Sequence, residues 1–372
     1  MSEHAEMERP VTYREFKQEI VRIDQRFDGI DERFVGIDKV LERIVERLVA
    51  LEDRVTAGFQ AMNERMTTEA KAAIEWGKAA TDHEVLARAW LLASEAYLVW
   101  ATFTEQDHAI ATALEHARRS GDRALELQIV IRSGPPIVFG PLPVDEGLRR
   151  VDEMLERAGD SAAVQLFAAH VRGHLWARRG ELEAGRTAID EWRVQFRELG
   201  QELFYAHGAA CIFDVCSLAQ DWDSAADALE ESYEILEGMG EKAFRSTLSA
   251  YLGDVYLRQG RLDEAERLSL ISEELGASDD LATQAGWRAV RGKVRAAQGD
   301  LESAVLLAGE AVEIVSGSDQ PDFIAGVLID QAEVLRAAGR DEDAREAVEK
   351  AVAFYESKGN LVGAERARAL LA

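Results

Sequence analysis

Residues 252–265 read Leu252-Gly253-Asp254-Val255-Tyr256-Leu257-Arg258-Gln259-Gly260-Arg261-Leu262-Asp263-Glu264-Ala265. The pair Gly260 and Ala265, five apart, describes a turn between two helices. Glycine takes the left-handed conformation that ends the first helix, and the acidic residues behind it favour the start of the next. The small residue one turn into that second helix allows two backbones to approach closely. The same phrase recurs from Thr104 to Ala109, Leu142 to Gly147, Gly180 to Gly185, Gln220 to Ala225, Gly299 to Ala304 and Gly339 to Ala344, at steps of 38 to 40 residues. Glycines at 121, 159, 200, 240, 276, 317 and 359 form an interleaved second ladder. Two turns in every 40 or so residues predict two helices per repeat.

The reading that follows is an all-α array of seven helical hairpins. First helices are expected near 84–101, 122–132, 161–179, 201–219, 241–259, 279–298 and 320–338. Second helices are expected near 104–119, 145–158, 181–199, 221–238, 261–275, 300–316 and 340–358, and a short helix at about 361–371 caps the end. Gly173, Gly253 and Gly292 share one position in the first helices, with Trp176 and Tyr256 three residues on to fill the space beside them. Cys216 takes that aromatic position in its own repeat and reads as core. Thr81 to Glu84 reads as a capping box that opens the array. Four of the six prolines, Pro135, Pro136, Pro141 and Pro143, crowd into the second hairpin, where an extended connection is expected.

Ahead of the array lies a different period. Ile20, Phe27, Phe34, Leu41, Leu48 and Val55 alternate with Ile23, Ile30, Ile37, Ile44 and Leu51 at spacings of three and four. An average of 3.5 residues is the coiled-coil signature, and these eleven residues are the expected oligomer interface. Arg26, Arg33 and Arg47 precede Asp31, Asp38 and Glu52 by five residues, the g-to-e pairing of a parallel assembly. The expected organisation is thus a disordered tail at 1–10, a parallel coiled-coil stem at 11–66, a helical linker at 67–83 and the array at 84–372. The stem makes a homo-oligomer of two to four chains the expectation, against a helix that folds back on its own array.

The chain has 372 residues, 47% apolar, with a formal net charge of −26. Residues 1–10 and 11–66 each carry −2, which leaves −22 on the remainder. So acidic a chain lacks the basic footprint of a nucleic-acid binder and the attraction to an anionic membrane. No apolar run reaches the roughly 20 residues of a spanning helix, and the opening residues lack the character of a signal peptide. Two cysteines exclude a disulfide framework, and a reducing cytoplasm is expected.

The phrase Leu252-Gly-Asp-Val-Tyr256, with Gly260 and Ala265 behind it, resembles the tetratricopeptide (TPR) repeat. Further segments carry a second likeness: Gly121-Asp-Arg-Ala-Leu-Glu-Leu-Gln128, Phe139-Gly-Pro-Leu-Pro-Val-Asp-Glu146, Ala332-Glu-Val-Leu-Arg-Ala-Ala-Gly339 and Tyr355-Glu-Ser-Lys-Gly-Asn360. From about residue 85 onward the chain resembles the C-terminal TPR-type arm of actinobacterial regulators that join a nucleotide-cyclase or DNA-binding head to an AAA-type ATPase module. That resemblance implies a helical-repeat arm in signalling. No Gly-x-x-x-x-Gly-Lys-Ser/Thr loop is present, so no ATPase activity is carried over.

Candidate chemistry is sparse. His170 and His174 stand one helical turn apart, Asp214 lies 40 residues beyond His174, and Cys211 is close by. Such donors suit zinc or copper, yet no Cys-x-x-Cys accompanies them. His170 and His174 read instead as residues of a partner groove, together with Trp90 and Trp287. No cofactor, metal or catalytic residue is expected. The function expected is a non-enzymatic interaction scaffold whose acidic groove takes a basic protein or peptide. The alternative is a ligand- or peptide-sensing regulator in bacterial signalling or transcription control, marked by a discrete pocket of convergent polar groups.

Overall fold

The computed structural model describes residues 65–99, 101–159 and 161–372. The tail, the stem with its eleven interface residues and the stem's charge pairs lie outside them. Residues Met62–Ala372 form one compact unit, and every regular element among the described residues is a helix.

Helix α1 (65–80) runs into a turn at Thr81, whose φ of 55° is left-handed. The first hairpin is α2 (His83–Val99) with α3 (Phe103–Ser120). The expected capping box is shifted by one residue. Asp82, not Thr81, accepts from the backbone N–H groups of Glu84 and Val85, at 3.1 Å each. A threonine in the left-handed region cannot turn its hydroxyl to the helix as an N-cap does. Residues 67–83 also pack: Ile74 on α1 joins Leu86, Ala89 and Trp90 of α2 in one apolar cluster.

The second hairpin joins α4 (Arg123–Arg132) and α6 (Val144–Ala158) through α5 (Gly134–Val138). An extended connection was expected across 134–143; Pro143 is extended, at φ −59° and ψ 146°, while the first half is instead a helical turn. Pro135 and Pro136 occupy its first positions, where the fixed φ suits a helix and the missing N–H is not needed. The remaining hairpins are α7 (Ala162–Arg179) with α8 (Leu182–Glu198), α9 and α10 with α11 (Trp222–Met239), α12 (Ala243–Arg258) with α13 (Leu262–Leu275), α14 (Leu281–Gln298) with α15 (Leu301–Val315), and α16 (Pro321–Ala337) with α17 (Asp341–Lys358). The first helix of the fourth hairpin is broken into α9 (Glu202–His207) and α10 (Ala209–Ala219) at Gly208, against whose α-carbon the Arg193 side chain packs. Helix α18 (Leu361–Ala369) covers α17.

The turn glycines behave as their ladder predicts. Gly180, Gly260, Gly299 and Gly339 all have positive φ, and Gln220, which replaces glycine in the fourth repeat, adopts φ 55°. In the second ladder Gly276, with φ −76° at the end of α13, and Gly317 depart from the left-handed conformation. Close approach of two helices is tightest between α7 and α8. A methyl group on Gly185 would lie 2.6 Å from the Gly173 carbonyl oxygen.

The array returns on itself. Asp319, just before α16, accepts from the backbone N–H groups of Phe103 and Thr104 at 2.9 and 2.6 Å. Lys358 Nζ donates to the carbonyls of Ile137, Gly140 and Leu142 at 2.9, 2.6 and 2.8 Å. Arg366 on α18 donates to the Ser217 carbonyl at 2.9 Å. These contacts hold the C-terminal hairpin and its cap against the first four repeats.

Candidate functional site: the inner wall

In successive first helices, the residue directly behind the helix-packing position is charged or titratable. His174 follows Gly173, Asp254 follows Gly253 and Lys293 follows Gly292, while Asp214 and Glu333 hold the equivalent places in α10 and α16. Neighbouring repeats bring two pairs of them together. His174 Nδ1 meets Asp214 Oδ2 at 2.6 Å. Lys293 donates to Asp254 and, at 2.6 Å, to Asp330 of α16. Arg258, one turn beyond Asp254, reaches Asp330 at 3.2 Å and Glu333 at 2.8 Å. Carboxylates and cations thus alternate along a wall built from the first helices.

Arg178 closes that wall against the C-terminal hairpin. Its side chain is 2% exposed, and it donates to Asp214 at 2.9 Å, to Asp322 at 2.5 Å and to the His174 carbonyl at 3.1 Å. Asn360 joins the same carboxylate, donating to Asp322 at 3.2 Å. The wall still meets solvent. The side chains of Asp214, Asp254, Asp330 and Glu333 keep between 20% and 36% of their exposure.

Burial and pairing pull its carboxylates in opposite directions. Burial opposes ionisation of Asp214, but Arg178 and the hydrogen bond to His174 outweigh it and hold this carboxyl well below the usual range. Asp254 and Asp330 share the ammonium of Lys293. Asp254 is lowered because Lys293 and Arg258 overcome its burial. For Asp330 burial prevails over Lys293, with Asp254 adding to it, and the carboxyl is raised to about 6. The three groups act as a coupled set.

Of the four expected groove residues, two come together and two do not. His170 and His174 stand edge to face at 5.0 Å on α7. Trp287 is only 5% exposed and is covered by the guanidinium groups of Arg288 and Arg291, at 4.1 and 4.5 Å from its ring. Buried in this way, it offers no aromatic face to a partner. Trp90 is half-buried between the cluster on α1 and α2 and the edge of His108, 5.8 Å away. His174 itself is completely buried. Cys216 is core as expected, 1% exposed beneath Arg186.

His170 and His174 do meet Cys211, and one donor atom from each lies within 4.8 Å of the others. His170 Nε2 is 3.5 Å from Cys211 Sγ. The fourth expected donor, Asp214, is bound to His174 and Arg178 instead. Burial pushes the Cys211 thiol up to about 12, and burial together with His174 holds His170 well below its ordinary value. Without a metal ion, then, the thiol keeps its proton at neutral pH.

No family model and no curated protein matches this chain. Solved structures do, and they are helical-repeat proteins. One is a Rap protein complexed with competence and sporulation factor, 13% identical, with 78% of this chain aligned to 87% of that one at a TM-score of 0.53. Another is NprR in complex with its cognate peptide NprX, 13% identical over 77% of this chain and 84% of that one, at a TM-score of 0.51. The fold is TPR-like. The chain also matches the APC/C hetero-tetramer Cut9-Hcn1, at 12% identity and a TM-score of 0.48, over 72% of its own length. It spans 46% of that longer chain. Among the described residues no helix is long and apolar enough to cross a membrane.

Proposed function

We propose that this protein is a non-enzymatic peptide-binding module whose inner wall takes a basic segment of another protein. One observation carries the reading. The partly exposed carboxylates Asp254, Asp330 and Glu333 already hold an ammonium and a guanidinium group, those of Lys293 and Arg258. A lysine- or arginine-bearing peptide brings the same chemistry, and the charge of −22 on residues 67–372 attracts it. The same charge repels nucleic acid and anionic membrane. In this reading residues 11–66 form a parallel self-associating stem in the cytoplasm, ahead of an array from 84 to 372. Several arrays on one stem raise the strength of a weak contact by multivalency.

Fluorescence polarisation with an arginine-rich peptide and its glutamate counterpart of equal length tests the wall. The basic peptide should bind at least about tenfold more tightly, and Asp254→Asn with Asp330→Asn should remove most of that preference. Equal binding of the two peptides would refute the reading. Light scattering tests the stem: a monomeric full-length chain would sink it.

A second reading has its own support. Arg178, Lys358 and Asp319 fasten the C-terminal hairpin to the early repeats, and a peptide that competes for the wall would loosen them. Two proteins sharing the fold were crystallised with a competence and sporulation factor or with a cognate peptide. Together these favour a peptide-sensing regulator in bacterial signalling or transcription control, in line with the resemblance to the actinobacterial regulator arm.

A further inference from the structure

We propose that His170, His174 and Cys211 form a three-donor site for a soft monovalent cation, copper(I). The site is built from the array's own repeat. Helix α7 presents the two imidazoles from adjacent turns, and α10, one repeat later, presents the thiol.

Three observations fit a metal ion better than a plain apolar contact. His174 is completely buried, its Nδ1 is engaged by the Asp214 carboxylate at 2.6 Å, and its Nε2 has no hydrogen-bond partner among the described residues. An imidazole whose Nδ1–H is donated to a carboxylate carries its lone pair on Nε2, the arrangement that orients metal-binding histidines. The 3.5 Å between His170 Nε2 and Cys211 Sγ is the edge a metal would span. Bonds of about 2.1 Å to nitrogen and about 2.3 Å to sulfur put two donors roughly 3.8 Å apart at the 120° angle of a three-coordinate ion, a few tenths of an ångström more than this separation. Finally, the ligands are held from behind. Trp192 stacks on His170 with ring centres 4.2 Å apart, and Phe139 meets His174 edge-on at 6.0 Å.

Donor type and number select the ion. A thiolate with two imidazoles is a soft donor set. Copper(I) with the Cys211 thiolate is neutral. Closed zinc sites also take four protein donors, whereas this cluster brings three. On binding, the Cys211 S–H bond breaks, its proton passes to water and the sulfur–copper bond forms, with no change in oxidation state.

The test is an anaerobic titration of the reduced full-length protein with copper(I) against bicinchoninate, alongside a zinc(II) titration. One copper(I) per chain is expected, with X-ray absorption reporting two nitrogen donors and one sulfur. Cys211→Ser and His170→Gln should each weaken binding by at least about 100-fold. Cys216→Ser, at a buried thiol beneath Arg186 outside the cluster, should leave it unchanged. His170 is half-buried, so its variant provides the comparison if the cysteine variant does not fold. No copper(I) retained by the native chain, or equal retention by His170→Gln, would overturn the site. One zinc per chain that copper(I) does not displace would overturn the choice of ion.

Discussion

Removing Arg178 should open the array at its C-terminal end while leaving its middle intact. The guanidinium is 2% exposed and bridges Asp214 on α10 to Asp322 on α16, whose side chains are 30% and 17% exposed. Arg178→Met keeps much of the side chain's length and removes its charge and donors. Taking one partner from a buried ion pair costs about 3–5 kcal/mol. Partial solvation of both carboxylates places this case at the lower end, about 3 kcal/mol. At about 1.4 kcal/mol per tenfold, local opening becomes some two orders of magnitude more frequent. Native-state hydrogen exchange read by mass spectrometry can see that. Peptides covering 103–106, 322–326 and 360–369 should lose protection by about 100-fold, because Asp319, Asp322 and Asn360 tie those backbones together. Peptides from α12 and α13 should be unchanged. Uniform loss across the chain would mean that Arg178 supports global folding only. Unchanged exchange in all peptides would refute the latch.

Two further outcomes follow from particular contacts. Gly185→Ala places a methyl group 2.6 Å from the Gly173 carbonyl oxygen, and α8 must shift; a loss of about 1–3 kcal/mol is expected in urea unfolding, and an unaffected midpoint would contradict the close approach. Affinity for a basic peptide should rise between pH 5 and pH 7. Asp330, raised to about 6 by burial, gains its negative charge across that interval, with Asp254, Glu333, Arg258 and Lys293 around it. The same shift contributes to folding stability below the ordinary carboxyl range and is lost as pH rises through about 6. Peptide affinity and wall stability should therefore move in opposite directions, which polarisation titrations and thermal melts at matched pH values can compare.

The order of helices was legible because each turn carries its own local chemistry. Gly180, Gly260, Gly299 and Gly339 mark chain reversals that need left-handed backbone, and a ladder of such residues survives degeneracy in any one repeat. Gln220 shows the limit of that logic, since the position is recognised only through its neighbours' phase. The elements that were misread depend on what surrounds them. Pro135 and Pro136 can begin a helical turn as well as an extended segment, and the choice falls to packing: Ile137 and Val138 are buried in the core of the second and third hairpins. At Gly208, where a helix breaks, the Arg193 side chain packs against the glycine and donates to the Tyr205 carbonyl, and no local signal announces that.

The inner wall was half legible, and the missing half explains its character. The 40-residue step from His174 to Asp214 continues to Asp254, Lys293 and Glu333, so the charged ladder was present in the sequence as the residue behind each packing position. Its curvature was not. Which repeats meet across the wall depends on small rotations summed over several hairpins, so the pairing of Arg178 with Asp322, 144 residues away, has no sequence signature. That closure changes how the acidic charge acts. An open groove would expose its carboxylates to any cation, whereas here Arg178, Arg258 and Lys293 hold them in fixed places. On the proposed function, a partner would have to replace specific internal ion pairs, and discrimination would come from matching their spacing rather than from net charge alone. The proposed peptide site thus lies on the pairs of Lys293 and Arg258, while Arg178, Lys358 and Asp319 hold the array closed.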